Sequence, residues 1–347
     1  MTAALLLHGS ANTIGGQARV IKMRWGMPAD SMYFKGAWRI VKFALGENVT
    51  QASSTLPQDE RRFPMTRMGV EFTVRYWFQK AKEYDEEWKA YREAVKTNPN
   101  AIMPRRDLRL EALTDMLHGD LKIHSHSYRA DEILMLIRVA EENGFKVNTF
   151  QHVLEGYKVA DEIARHGAGG STFSDWWAFK FEVYDAIPYN GSLMRDRGVV
   201  VSFNSDSSDL ARRLYLDAAK AVKYGNTPEV EALKFVTINP ARQLRIEQHA
   251  GSLEDGKHAD FAIWSKSPLD FATVCQETWI DGKKYFDRTL AAGRAKAFEQ
   301  ERSELIAKAK KITGSPGGGA VSDAAKAAFF QRALEQAHSL VEECQNC

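Results

Sequence analysis

The sequence predicts an α/β protein built as a (β/α)8 TIM-like barrel, and three observations favour that fold class. Runs with strand character alternate with helical patterns up to about residue 245. His124, His152 and Asp206 each follow a short β-prone run and precede a helical pattern. The steps between these residues are 28 and 54 positions, close to one and two βα units of about 30 residues.

The predicted elements follow from composition and period. Strands are predicted where short apolar runs end at polar or glycine-containing loops: Ala3 to Leu7, Ala18 to Met23, Trp38 to Ala44, Leu121 to His126, Phe145 to Gln151 and Gly198 to Asn204. Helices are predicted where apolar residues recur with helical spacing: Thr66 to Lys96, Asp107 to His118, Ala130 to Asn143, Glu155 to His166, Ser208 to Tyr224 and Thr227 to Thr237.

The texture of the chain changes after the last of these helices. Turns and short strands follow, with a hairpin predicted at Asp281-Gly282. A charged helical pattern, a Gly-rich linker and a final helix complete the chain. We therefore expect three regions: an α/β barrel over 1–245, a small β module over 246–288, and a helical tail over 289–347.

Charge and cysteine content exclude several classes of protein. Lysine plus arginine number 47 and aspartate plus glutamate 45. The net charge of +2 is too small to indicate a nucleic acid or an anionic membrane as partner. No apolar run reaches the roughly 20 residues that span a bilayer. Cys344 and Cys347 form a lone CxxC without the second pair that a zinc ribbon requires. The apolar run Met1 to Leu7 is too short for a secretion signal, which leaves the compartment open.

The polar strand ends suit a metal. His124 and His126 are two residues apart on a strand, so both side chains lie on the same face. Strand ends at the C-terminal face of a barrel converge, and two imidazoles with a carboxylate suit zinc or a similar divalent ion. Taken singly, each residue has a plainer interpretation: the histidines as hydrogen-bonded structural residues, and Asp206 as a helix cap.

Together these motifs resemble the metal-dependent amidohydrolase superfamily, and most closely its imidazolonepropionase-like and dipeptidase-like branch. His124-x-His126, His152 and Ser205-Asp206-Ser207 resemble the fifth, sixth and eighth barrel strands of that superfamily. Three later segments resemble its exit helix, its return into a β-sandwich domain and the last strands of that sandwich: 235–241, 251–261 and 279–283. The resemblance covers about residues 3 to 286 and implies that 246–288 is the C-terminal part of a β-sandwich.

The resemblance implies roles for particular residues. His124 and His152 would bind the metal, and Asp206 would both bind it and carry a proton from a metal-activated hydroxide to the leaving nitrogen. Lys42 lies where some members carry a carboxylated lysine bridging two metals, although an ordinary barrel lysine is an equal alternative. Glu47 is a weaker substitute ligand. The implied cofactor is zinc, with manganese or iron as alternatives, as one or two ions.

Three neighbouring residues would contact the ligands or the substrate: His126, Tyr128 and Arg129. Arg129 suits a substrate carboxylate through its bidentate fork, and a surface ion pair is the alternative for it. The implied activity is hydrolysis of amide bonds in a small peptide-like or cyclic amide. A deaminase or a lactone or ester hydrolase is the alternative within the superfamily, and a catalytically inactive interaction module is the alternative outside it.

One departure from the superfamily pattern is pronounced. Members carry a His-x-His pair on the first barrel strand, and nothing before His124 offers such a pair. Counting back from strand five makes Ile40 to Ala44 strand four, Ala18 to Met23 strand three and Ala3 to Leu7 strand two. We therefore expect a barrel lacking its first strand, in an N-terminally truncated chain whose activity is in doubt. The two unpaired sheet edges favour self-association into a homo-oligomer.

Overall fold

The computed structural model describes residues 1–174, 179–313 and residue 331, and its strands form two sheets. The larger sheet has seven strands in chain order: β1 (Ala3–Leu6), β2 (Ile14–Lys22), β3 (Arg39–Ala44), β4 (Leu121–Ser127), β5 (Val147–His152), β6 (Gly169–Thr172) and β7 (Val200–Phe203). The smaller sheet has three: β8 (Phe261–Trp264), β9 (Cys275–Ile280) and β10 (Lys283–Asp287).

The helices surround these sheets. In chain order they are α1 (Ala29–Met32), α2 (Glu47–Thr50), α3 (Arg67–Ala94), α4 (Leu108–His118), α5 (Ala130–Asn143), α6 (Ala160–His166), α7 (Asn190–Asp196), α8 (Leu214–Gly225), α9 (Glu229–Lys234), α10 (Ile238–Leu244) and α11 (Arg288–Thr313). Helices occupy each connection from β3 to β7, which is the βα alternation that the sequence predicts. Among the described residues, no helix combines the length and the apolar character needed to cross a membrane.

The five strands from β3 to β7 are parallel to one another. Their register pairs Lys42 with His124, and Ser127 with His152. Because parallel neighbours point the same way, polar residues near the ends of these strands lie along one edge of the sheet. This curled parallel sheet is the part of the barrel that the sequence predicts correctly, including the placement of β4 and β5.

The first two strands depart from that prediction. β1 pairs antiparallel with β2, and β2 pairs antiparallel with β3. Only residues 7–13 connect β1 to β2, and the connection to β3 contains just the four-residue helix α1. A parallel pair needs a crossover of a dozen or more residues, usually with a full helix. The seven residues 7–13 are too few for one, and the sixteen residues 23–38 contain no full helix, so both connections reverse the chain. Assigning both strands as consecutive barrel strands two and three is therefore wrong for their direction.

The main core lies between the parallel sheet and helices α3 and α5. Val70, Val74 and Phe78 are the buried face of α3. Phe78 stacks on Phe145 with ring centroids 3.8 Å apart, and both are buried. α5 begins at Ala130 and ends before Gly144, whose φ of 79° is the left-handed conformation that glycine adopts at a helix end. Burying each large apolar side chain contributes about 1.5–3 kcal/mol to holding these helices on the sheet.

The C-terminal module is one antiparallel sheet of three strands in the described residues, and a second, sandwiching layer is not seen there. Its hairpin turns at Asp281 and Gly282, with φ angles of 52° and 72°, as the sequence predicts. α11 confirms the charged helical pattern that follows. The predicted Gly-rich linker, the final helix and the Cys344–Cys347 pair lie outside the described residues.

A buried ion cluster joins this small sheet to β2. The Lys22 ammonium is 2.9 Å from the Asp260 carboxylate and also contacts Asp281. Arg24 reaches the other oxygen of Asp281 at 2.6 Å. Lys22 and Asp260 have only 1% and 2% of their side chains exposed, so the two charges neutralise each other away from water. The cluster therefore fixes how the small sheet lies against the larger one.

Candidate functional site

A cavity of about 470 Å³ lies along the edge of the larger sheet. Four of the residues proposed from the sequence line it: Lys42 from β3, His124 from β4, His152 from β5 and Asp206 just after β7. The N-terminal segment 3–10 forms much of the opposite wall. The fold thus brings residues 164 positions apart in sequence to one cavity.

Unusual backbone conformations hold two of these residues. His152 has a φ of 70°, the next residue Val153 has 38°, and Asp206 has 42°. A β-branched residue with positive φ is a conformational outlier, and such strain concentrates at functional sites. The strained turn is held by the Val153 N–H, which donates to the Ser127 carbonyl at 2.7 Å. As a result His152 Nε2 and Asp206 Oδ2 face each other at 3.8 Å.

Hydrogen bonding orients His124. Its Nδ1 lies 3.0 Å from Nε2 of Gln151, the residue that precedes His152. The side chain of His124 is buried, and its strand partner Lys42 is buried beside it. The oxygen and nitrogen of an amide group exchange places when the group rotates by half a turn, so the Gln151 oxygen can accept a hydrogen bond from a protonated Nδ1 of His124. Nε2 of His124 then carries no proton and offers its lone pair to a ligand.

Burial sets the charge state of the site. It lowers the pKa of His124 to about 3. Burial, reinforced by the positive charge of Lys42, also places the pKa of His152 well below its usual range. Burial raises the pKa of Asp206, while Lys42 and Lys180 oppose that rise. Both imidazoles are therefore neutral at neutral pH, which is the form that binds metals.

Several buried polar atoms of this cavity have no hydrogen-bond partner within the described part of the chain. They are Nε2 of His124, both ring nitrogens of His152 and Oδ2 of Asp206. Each unsatisfied buried group costs about 1–3 kcal/mol, so a cluster of them is rare in a purely structural core. Their convergence indicates a site shaped to bind a further group.

Known proteins resemble this chain over different lengths. Residues 192–286 match the sequence profile described as the Amidohydrolase family. The amidohydrolase tasK of Hapsidospora irregularis is 28% identical over 323 residues, which cover 88% of this chain and 32% of that protein. An imidazolonepropionase of Thermoplasma volcanium is 30% identical over 183 residues, which cover 50% of this chain and 43% of that enzyme. The chain thus spans less than half the length of these curated relatives.

A solved structure also matches this chain over most of its length. The crystal structure of an amidohydrolase from Thermotoga maritima shares 31% sequence identity and superposes with a TM-score of 0.73. The match covers 83% of this chain and 72% of that one. The chain belongs to the amidohydrolase superfamily. The resemblance drawn from the strand-end residues is confirmed.

Amidohydrolases typically bind a divalent metal, and the donor set of the cavity fits one. Neutral imidazole nitrogens and a carboxylate oxygen are zinc ligands, and here they are buried and unsatisfied. The ligand atoms of His124, His152 and Asp206 are spaced more widely than those of a closed coordination shell. Within the described residues, the group of three whose ligand atoms all lie within 4.8 Å is instead His258, Asp260 and Asp281.

That second group already contains a cation. The ammonium of Lys22 contacts the carboxylates of both Asp260 and Asp281, and Arg24 adds a second positive charge to Asp281. A divalent ion would have to displace Lys22 from a buried position and leave that ammonium without a partner, which is costly. We therefore regard the Lys22 cluster as a structural ion pair.

The remaining residues proposed from the sequence lie behind or outside the cavity. His126 is fully buried, and its ring centroid is 4.7 Å from that of His152. Tyr128 is also buried and packs edge-on against His126 at 4.6 Å. Arg129 pairs with Asp131 at 2.9 Å and does not line the cavity, so its surface ion-pair interpretation holds. Glu47 is likewise absent from the cavity wall.

Sequence reasoning missed three polar residues next to the ligands. Gln151 was detectable, because it directly precedes His152 at the same strand end. Asn48 lies in the short helix α2, within the connection that follows β3, where polar residues of βα units commonly have functional roles. Lys180 follows an aromatic segment without any readable pattern, and only the fold brings it to the site.

Proposed function

We propose that this amidohydrolase hydrolyses C–N amide bonds in small molecules with a divalent metal, most simply zinc, held in the cavity. One observation carries the proposal: Lys42, His124, His152 and Asp206 line one cavity, and the two histidines and the aspartate present buried atoms there without hydrogen-bond partners among the described residues. Superfamily membership supports the reaction class.

The metal would be held by His124, His152 and Asp206, with Lys42 as a further ligand if it is carboxylated. When bound, a divalent ion lowers the pKa of water and polarises a carbonyl group. His124 serves as a ligand when Gln151 turns its amide oxygen toward Nδ1, which leaves Nε2 unprotonated. The strained backbone at His152 directs that imidazole toward Asp206.

Asp206 is the proton carrier in this proposal. Its Oδ2 is buried and has no hydrogen-bond partner among the described residues, so it is available to take a proton from the attacking water. Burial raises the pKa of its carboxyl group, which makes the carboxylate a stronger base. The same oxygen then returns the proton to the leaving nitrogen, and the carboxylate is regenerated.

The cavity limits the size of the substrate. A volume of about 470 Å³ lies within the range of about 300–1,000 Å³ typical of small-molecule sites. Serine and asparagine side chains line it beside Leu5 and Leu7. This mixture suits a short peptide-like or cyclic amide, the latter being the substrate type suggested by the imidazolonepropionase relative.

Metal analysis tests the proposal. The purified chain should retain about one equivalent of zinc, manganese or iron, and His152→Ala/Asp206→Ala should lose it. His118→Ala/Asp120→Ala is the matched control, because it removes the same two residue types from exposed positions. Equal metal content in all three proteins, or none in the unmodified chain, would contradict the proposal and favour an inactive module.

Activity gives a second, separate measurement. Asp206→Asn keeps an oxygen for the metal but removes the base, so kcat on a panel of small amides should fall by about 10²–10⁴-fold. The same panel, extended with aminopurines and lactones, separates amide hydrolysis from deamination and ester hydrolysis. A variant with unchanged kcat would exclude Asp206 as the proton carrier.

A further inference from the structure

A series of hydrogen bonds connects Lys180 to His126 through Asn48. The Lys180 ammonium donates to Oδ1 of Asn48 at 2.7 Å. The Nδ2 group of Asn48 donates to the Ser10 hydroxyl at 2.7 Å and lies 3.4 Å from Nε2 of His126. Lys180 and Asn48 are 132 residues apart in the sequence. Of this series only Ser10 lines the cavity, and none of its residues belongs to the proposed metal-binding set.

The chemistry of Lys180 fixes the direction of every bond in the series. An ammonium group has only donors, so the Asn48 atom that faces it must be the carbonyl oxygen. The amide NH2 group must then face His126, and it can only donate there. Nε2 of His126 is therefore an acceptor, and the proton of the neutral imidazole is on Nδ1.

A buried network holds Lys180 in this position. Its ammonium is 2.8 Å from Oε1 of Glu182 and lies 4.7 Å from the ring centre of Tyr128. Glu182 is itself held by the backbone N–H of Glu47 at 2.9 Å and by Arg67 at 3.1 Å. Only 1% of the Glu182 side chain is exposed, so this charge pair is shielded from water.

We propose that Lys180 is a positioning residue which, through the Asn48 amide, determines which nitrogen of His126 carries the proton. His126 is in ring contact with His152, which lines the cavity, with ring centroids 4.7 Å apart. The assignment goes beyond the proposed hydrolysis and stands on hydrogen-bond geometry, so it holds whether or not the chain cuts an amide.

Nuclear magnetic resonance of histidine-labelled protein tests this assignment. The ¹⁵N shifts of the two ring nitrogens differ between the tautomers, and His126 is identified among the nine histidines by its loss in His126→Asn. The unmodified chain should show a protonated Nδ1 and a bare Nε2. Asn48→Asp replaces the NH2 group by an oxygen that only accepts, so the proton should move to Nε2.

Two variants of Lys180 complete the test. Lys180→Arg keeps a group that only donates, so the Nδ1–H tautomer should persist. Lys180→Met removes the donor that requires the Asn48 oxygen to face it, so the signals should shift toward a mixture of tautomers. Lys158→Met is the control, since it removes a lysine whose ion pair with Asp185 lies at the surface.

Three results would overturn the assignment. The first is a protonated Nε2 in the unmodified chain. The second is an unchanged His126 spectrum in Asn48→Asp. The third is identical spectra for Lys180→Met and the unmodified chain. This last comparison can be made even if Asn48→Asp does not fold. Loss of hydrolysis alone leaves these spectra unaltered, so failure here is distinguishable from failure of the proposed function.

Discussion

Replacing Lys22 by methionine should destabilise the protein more than any other single charge removal between the two sheets. The substitution leaves the Asp260 carboxylate, of which 2% is exposed, without its cation at 2.9 Å. Removing one partner of a buried ion pair costs about 3–5 kcal/mol. In urea unfolding with a slope of about 3 kcal/mol/M, the midpoint should fall by about 1 M or more.

Two further variants decide whether burial is the cause. Arg24→Met removes the cation that pairs with Asp281. The two side chains are 25% and 36% exposed, so the loss in the free energy of unfolding should stay near 1 kcal/mol or less. Lys22→Met/Asp260→Asn removes both buried charges and should recover part of the loss. If the free energy of unfolding of Lys22→Met lies within 1 kcal/mol of that of the unmodified chain, the cluster is not a buried ion pair in solution.

Two other predictions concern the backbone and pH. Gly251→Ala forces a φ of 96° on alanine and places its Cβ 2.9 Å from the Ile238 backbone, whereas Gly256→Ala has a φ of 88° and open space. Backbone strain costs about 1–3 kcal/mol in both variants, and crowding adds about 1–3 kcal/mol in Gly251→Ala alone. Thermal unfolding should therefore show a larger loss of stability for Gly251→Ala than for Gly256→Ala. Bonds from Arg109 lower the pKa of Asp107 from 3.8 to about 2. The ionised Asp107 carboxylate therefore stabilises the fold fully above pH 4, and this stabilisation is lost as the pH falls toward 2. Asp107→Asn should make the free energy of unfolding depend less on pH between 4 and 2.

The parts of the fold that follow from local rules were predictable from the sequence. The Asp281-Gly282 turn requires two positive φ angles, and its residue types supply them. The ends of β4 and β5 follow from apolar runs that stop at His126 and His152. Spacing near 30 residues then places these ends beside one another, because parallel strands repeat at that interval.

Strand direction and distant contacts were not predictable in this way. β1 and β2 have the composition of barrel strands, but a connection as short as residues 7–13 reverses the chain whatever the strands contain. Arg129 has the chemistry to bind a carboxylate, yet Asp131 is two residues away and takes that role. The contact from Lys180 to Asn48 spans 132 residues and leaves no local pattern.

The left-handed conformation of Val153 ties stability to precision. A glycine there would relieve the backbone penalty, but it would also remove a fully buried side chain from the main core and leave a cavity. The same glycine would let the chain sample other conformations and would loosen the aim of the neighbouring imidazole. A library screened first for heat tolerance and then for turnover should therefore reject glycine at position 153 in both screens, which would mark it as a site where core packing holds the backbone in the geometry that the imidazole needs.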